Sequence, residues 1–218
     1  MISPVVLAFP GNADLTGTDV RDLMEHVPGI RVRIGRAFEV VRESTGVDLL
    51  PLLSHGRTGG TEAARQLSDA VTRNVAIFAL SWSYGRLFVD AGLEPAALVG
   101  YSLGEITAAT VGGIWALEDA VAFVAERAAL MAKSGPGSML GVYAPALEMR
   151  RRFAGTAIDV AIEVTGNLTV IAGAAAIIAE EAQRLEVSGR ENFLLRVDCA
   201  AHSSLLDPYV AEVERLAA

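Results

Sequence analysis

Residues 96–105 read Ala96-Ala97-Leu98-Val99-Gly100-Tyr101-Ser102-Leu103-Gly104-Glu105. A short apolar run stops at Gly100, and a serine stands between two glycines in a G-x-S-x-G frame. A segment of helical character, residues 105–115, follows at once. Strand, tight turn and helix in that order are what a nucleophile elbow requires. Such a turn holds its serine in a strained backbone that bulky neighbours would crowd, and Gly100 and Gly104 relieve the crowding. It also aims the hydroxyl out of the sheet, above the N-terminus of the next helix. There the backbone N–H of Leu103 faces the place where a tetrahedral oxyanion would form. Ser102 is the candidate nucleophile.

Outward from this turn, the first part of the chain alternates strand and helix. Residues 5–9 form a compact apolar run that ends in Pro10-Gly11 and reads as a buried strand entering a loop. Residues 19–27 and 34–42 have helical spacing, Gly46 marks a break, and 54–60 is a loop by composition. Residues 72–91 are apolar on more than one face, which predicts a long buried helix. A second strong helix is expected over 117–131, where Glu118 and Asp119 in the first turn suit the helix dipole. The composition changes at Ser134-Gly135-Pro136-Gly137, a linker or boundary signal. Beyond it the pattern predicts a strand (138–143), a helix (146–153), strands at 158–164 and 168–172, a helix (175–186) and a strand (193–197). That βαββαβ order is that of a small ferredoxin-like unit. The fold class expected is α/β: a hydrolase-like, mostly parallel sheet subdomain with an inserted ferredoxin-like subdomain. Residues 1–133 and 198–218 would make the large subdomain, and 134–197 the small one.

The 218 residues suffice for a substantial core, and 52% hydrophobic against 20% charged residues excludes a disordered chain. A net charge of −8 argues against non-specific nucleic-acid binding and against an anionic membrane surface. Arg31, Arg33 and Arg36 form a small basic cluster that reads as a solvated helix face. With a single cysteine, Cys199, no intrachain disulfide can form. No apolar run approaches the roughly 18 residues of a membrane span, and no secretory leader is visible. The expectation is a cytoplasmic protein.

A serine hydroxyl needs a base to act as a nucleophile at neutral pH. Of three histidines, His26 lies near the end of an amphipathic helix and His55 in a glycine-bearing loop, where surface roles are expected. His202 differs: it follows the strand expected at 193–197 and the small-residue turn Cys199-Ala200-Ala201. A histidine just past a strand end is where a fold presents a base. Cys199 shares that context but has no separate base.

Six segments in order resemble one family, the malonyl-CoA:acyl carrier protein transacylases and the acyltransferase domains of polyketide synthases. Gly100-Tyr101-Ser102-Leu103-Gly104-Glu105 is similar to the G-H-S-x-G-E motif except at its second position. Phe9-Pro10-Gly11-Asn12 resembles the start of F-P-G-Q-G, and residues 74–80 resemble Q-P-A-L-F-A-L with Asn74 for glutamine. Arg127 and Met131 fit R-x-x-x-M, with Arg127 standing 25 positions after Ser102. Asn167 through Gly173 resemble N-x-x-x-x-V-I-x-G with two residues fewer before Val170-Ile171, and Ala201-His202-Ser203 fits the H-S segment.

The resemblance implies that Ser102 accepts the acyl group and that His202 is its general base and acid. The backbone N–H groups of Asn12 and Leu103 would form the oxyanion hole. Arg127 would clamp the free carboxylate of a malonyl-type group, a task suited to the two parallel hydrogen bonds of a guanidinium. Tyr101, Asn74 and Ala200 would line the acyl pocket. The substrates implied are an acyl-CoA and the phosphopantetheine thiol of an acyl carrier protein, with no metal and no other cofactor. The acyl group stays open: alanine replaces the phenylalanine usual in malonyl users, whereas Leu103 resembles theirs. Family members continue for several dozen residues past the base, so a complementing C-terminal segment or partner chain is expected. The competing readings are an acyl hydrolase on the same scaffold and a non-catalytic remnant or half of a split acyltransferase.

Overall fold

The computed structural model describes residues 4–12, 15, 19–54, 61–195, 197 and 199–217. The chain divides into two compact units, Met1–Ala128 and Ala129–Ala218. The division falls inside a helix, ahead of the glycine-rich signal at 134–137.

In the first unit, β1 (Val6–Phe9) and β2 (Ala97–Gly100) pair in parallel, with Val6 opposite Ala97 and Phe9 opposite Gly100. Between them come α1 (Val20–His26), α2 (Ile30–Thr45), α3 (Leu49–Leu52), α4 (Thr61–Ser68) and α5 (Ala70–Asp90). Aspartates start three of these helices: Asp19, Asp48 and Asp69 each accept a backbone N–H of the first turn, the last from Thr72 at 2.9 Å. α2 buries Ile30, Ile34, Ala37, Phe38 and Val41, the spacing of one helical face, into a cluster shared with Val75, Ala76, Phe78 and Ala79 of α5. Arg33 reaches Asp90 of α5 at 3.0 Å, and Arg36 pairs with Glu39 and Glu118, so the basic cluster is largely matched by acids.

After β2 come α6 (Leu103–Val111) and α7 (Leu117–Ala132). Leu117, Ala120, Val121 and Val124 carry α7 into the same core. The buried strand expected at 5–9 is buried on one face only. Phe9, Ala108 and Val111 close a small cluster beside Leu7 and Leu98, while Val6 and Val99 are each 52% exposed. Helices α5 and α6 cover one side of this two-stranded sheet, and period-2 alternation leaves the other side open. α3, four residues long, escaped the sequence reading because one turn is too short to show a period.

In the second unit, β3 (Gly137–Val142), α8 (Ala146–Arg152), β4 (Ile158–Thr165), β5 (Leu168–Ala174), α9 (Ala175–Val187) and β6 (Asn192–Leu194) realise the expected order. The sheet runs β4-β5-β3-β6 with every pair antiparallel, the ferredoxin-like arrangement. One face packs on α8 and α9 through Leu140, Ile171, Met149, Ile178 and Leu185. The other face presents Met139, Val170 and Ala172 to Ala200, with Val197, Ala201 and Leu205 alongside. A 3-10 turn (Ser204–Tyr209) and α10 (Val210–Ala217) follow, and the Tyr209 hydroxyl donates to the Lys133 carbonyl at 2.9 Å. Both the parallel and the antiparallel sheet of the expected α/β class are present.

Candidate active site

Ser102 occupies the position just before α6 with φ 53° and ψ −117°. That ψ lies outside even the left-handed helical region, whose ψ is about +30 to +60°. Its neighbours explain how the chain tolerates it. A Cβ on Gly100 would stand 2.2 Å from the Cα of Glu105, and one on Gly104 would stand 2.1 Å from the carbonyl oxygen of Phe9. Neither position admits a side chain, so the frame around Ser102 is a packing requirement as well as a motif.

β1 delivers its loop to the same point. The Tyr101 N–H donates to the Phe9 carbonyl at 3.1 Å, extending the ladder one residue past β2. A Cβ on Gly11 would lie 3.2 Å from that of Ser102, so the chain leaving β1 passes beside the serine, with Asn12 next along it. In the turn, the N–H groups of Gly104 and Glu105 are taken by the carbonyls of Tyr101 and Ser102, each at 2.9 Å. Leu103, the first helical residue, carries an N–H with no acceptor inside the helix, while its side chain is buried in the core. The structure thus brings Ser102, Leu103, Tyr101 and the Gly11-Asn12 loop together at one end of the parallel pair. Tyr101 is half exposed, and partial burial pushes its phenol above the usual 10.0, so it is neutral at physiological pH.

Arg127 is half-buried on α7, three residues after Val124 and at the margin of that helix's core face. Asn74, half-buried on α5, donates its amide to the Ala70 carbonyl at 2.8 Å, within its own helix. His26 is exposed and held by Asp22, 3.1 Å away, as a surface histidine should be. His55 lies outside the described residues.

In the second unit, His202 stands in the turn between Ala200, packed on the sheet, and the 3-10 turn, with φ 59°. Among the described residues Ser102 and His202 alone are non-glycine residues with positive φ. Each such conformation costs of order 1–3 kcal/mol and persists only where the surroundings enforce it. Ala200, expected at the wall of an acyl pocket, is fully buried between Met139, Val170 and Ala172. Its neighbour Ala201 is the partly open one. Gly137, read from sequence as part of a linker, begins β3, and a Cβ there would stand 2.2 Å from the Ala200 nitrogen. Sequence reasoning also missed Asp159 of β4, whose Oδ2 accepts from both the N–H and the hydroxyl of Ser204, at 2.8 and 2.7 Å. No local signal marks it, because the partners are 45 residues apart.

Set against known proteins, the chain matches the acyl transferase domain family over residues 20–217. It belongs to that family. This acyl transferase domain is 30% identical over 230 residues to the non-reducing polyketide synthase pigA of Monascus ruber, a match covering 98% of the chain. It spans 8% of that synthase's length. Among solved structures it resembles the acyltransferase domain from the second module of the salinomycin polyketide synthase, with TM-score 0.82 and 29% identity. That match covers all of this chain and 50% of the other. It also resembles the acyl transferase domain of SpnD in complex with 2-(pent-4-yn-1-yl)malonyl, with TM-score 0.81 and 28% identity over 98% of this chain and 50% of that one. The chain therefore spans about half the length of these two solved domains. Among the described residues no helix is long and apolar enough to cross a membrane.

Proposed function

We propose that this acyl transferase domain moves a malonyl-type acyl group from coenzyme A, through an ester on Ser102, to the phosphopantetheine thiol of an acyl carrier protein. The observation that carries the reading is the strained Ser102 at the start of α6, held between two glycines that admit no side chain.

In the first half-reaction His202 takes the Ser102 proton as Oγ attacks the thioester carbonyl. The negative charge that develops on the carbonyl oxygen is met by the backbone N–H groups of Asn12 and Leu103. The C–S bond then breaks, and His202 returns its proton to the departing coenzyme A thiolate. The second half-reaction reverses the order: the carrier thiol gives its proton to His202, its sulfur attacks the ester, and Ser102 recovers the proton as the C–O bond breaks. Arg127 holds the carboxylate remote from the reacting carbon, with Tyr101, Asn74 and Ala200 assigned to the acyl pocket. These steps use only the chain's own groups and the two thioester partners. The reading carries its domain division with it: residues 1–133 and 198–218 as the large subdomain, 134–197 as the small one. It also carries a cytoplasmic location.

The test is intact-mass measurement after exposure to malonyl-CoA. One malonyl mass should appear on the wild-type chain and be absent from Ser102→Ala. Label on Cys199, or label that persists in Ser102→Ala, overturns the assignment. Label that forms and then decays without any acceptor thiol points instead to hydrolysis.

A further inference from the structure

We propose that Asp159 is a positioning residue for His202; the inference rests on the reading of His202 as the base. His202 holds a left-handed backbone conformation that is uncommon for any residue but glycine, with φ 59°. The enforcement comes from both sides of the turn. On the N-terminal side, the buried Ala200 presses against Gly137 at the start of β3, so closely that no side chain fits between them. The Ser203 hydroxyl then donates back to the Ala200 carbonyl at 2.7 Å, spanning His202.

On the C-terminal side, the chain is tied by Asp159. One carboxylate oxygen accepts both donors of Ser204, N–H at 2.8 Å and hydroxyl at 2.7 Å. Asp159 sits on the edge strand β4 opposite Ala172, and opposed residues of an antiparallel pair share a face. That is the face on which Val197, Ala200, Ala201 and Leu205 lie. The turn bearing His202 is therefore anchored to the sheet through β3 before the histidine and through β4 after it. A charged acceptor suits the second anchor, because bonds to a carboxylate are shorter and stronger than those to a neutral oxygen. With Asp159 gone, Ser204 is released and the His202 backbone can relax toward negative φ, swinging the imidazole from its working position.

The experiment uses the whole chain and the variants Asp159→Ala, Asp159→Asn and Ser204→Ala. Transfer is followed with malonyl-CoA as donor and pantetheine as acceptor thiol. The ring Cε1–H signals of His202 are followed by NMR across pH, with His26 as an internal reference. In Asp159→Ala, kcat should fall about 10²-fold, the usual penalty for a displacement near 1 Å, with KM for malonyl-CoA unchanged. The His202 signals and titration should move while those of His26 stay. Asp159→Asn, which keeps an acceptor oxygen, should restore most of both. Should Asp159→Ala not fold, Ser204→Ala, which removes one of the two bonds, should show the same pattern at smaller amplitude. His202 signals identical in wild type and in the folded variants overturn the inference. So does a loss of kcat that Asp159→Asn fails to recover. His202 signals that respond as expected in a wild-type chain that transfers no acyl group uphold the positioning role and overturn the proposed function.

Discussion

The α-carbon of Gly104 faces the carbonyl oxygen of Phe9 so closely that a Cβ would stand only 2.1 Å from it. Helix α6 and strand β1 meet there backbone to backbone, and the elbow serine rides on that contact. Gly104→Ala must push the helix off the strand. The expected cost is about 1–3 kcal/mol or more, typical of overpacking against groups that cannot move aside. Urea denaturation should show a lowered midpoint, and the variant should take up no malonyl mass. An unchanged midpoint would mean that the two elements separate freely.

Ser102→Gly should stabilise the protein while abolishing acylation. Its backbone, at φ 53° and ψ −117°, is strained for serine and open to glycine. Relief of strain of 1–3 kcal/mol, less the extra chain entropy of glycine, leaves a gain of about 1 kcal/mol. Thermal melting measures it. A melting temperature at or below that of wild type would show that the surroundings hold Ser102 without strain.

Arg127→Ala should cripple malonyl transfer and spare an uncharged acyl group such as acetyl. Removing one side of a desolvated ion pair costs about 3–5 kcal/mol, a factor of roughly 10² to 10³ in rate or more. Parallel kinetics with malonyl-CoA and acetyl-CoA check this. Equal losses on both substrates would assign Arg127 to the fold.

Thr107, one turn into α6 from Ser102, buries a hydroxyl that has no hydrogen-bond partner among the described residues. An unsatisfied buried group costs about 1–3 kcal/mol, so Thr107→Val, equal in shape, should leave stability unchanged or raise it by about 1 kcal/mol. A clear loss in urea denaturation would reveal a partner for that hydroxyl.

The elbow and the helices around it were legible because their signals are local. An apolar run, two glycines flanking x-Ser-x and a helical stretch occupy one continuous segment. Sterics around Ser102 translate directly into residue choice at Gly100 and Gly104. The same holds for the long α5 and for the order of elements in the second unit, where strand and helix periods follow one another without interruption. α2, expected over 34–42, runs over Ile30–Thr45, because burial of Ile30 extends the helix past the point where its sequence pattern thins.

What escaped the sequence was decided by contacts between distant parts of the chain. Gly137 reads as a linker residue until Ala200 is placed against it, and no local signal shows that Met139 and Ala172 enclose Ala200. Asp159 reads as one acid among many until the fold sets Ser204 beside it. The apolar run of β1 announces burial, yet Val6 stays open, because which face of a strand is covered depends on what packs there. Periodicity and turn chemistry act over a few residues, so the amino-acid sequence by itself determined the longer elements, their order and the residue types at the elbow, but not the short α3 and α4. Register, close approach and the anchoring of the His202 turn arise from pairs far apart in the chain, from 45 residues for Asp159 and Ser204 to 95 for Phe9 and Gly104, and only the tertiary structure brought them together.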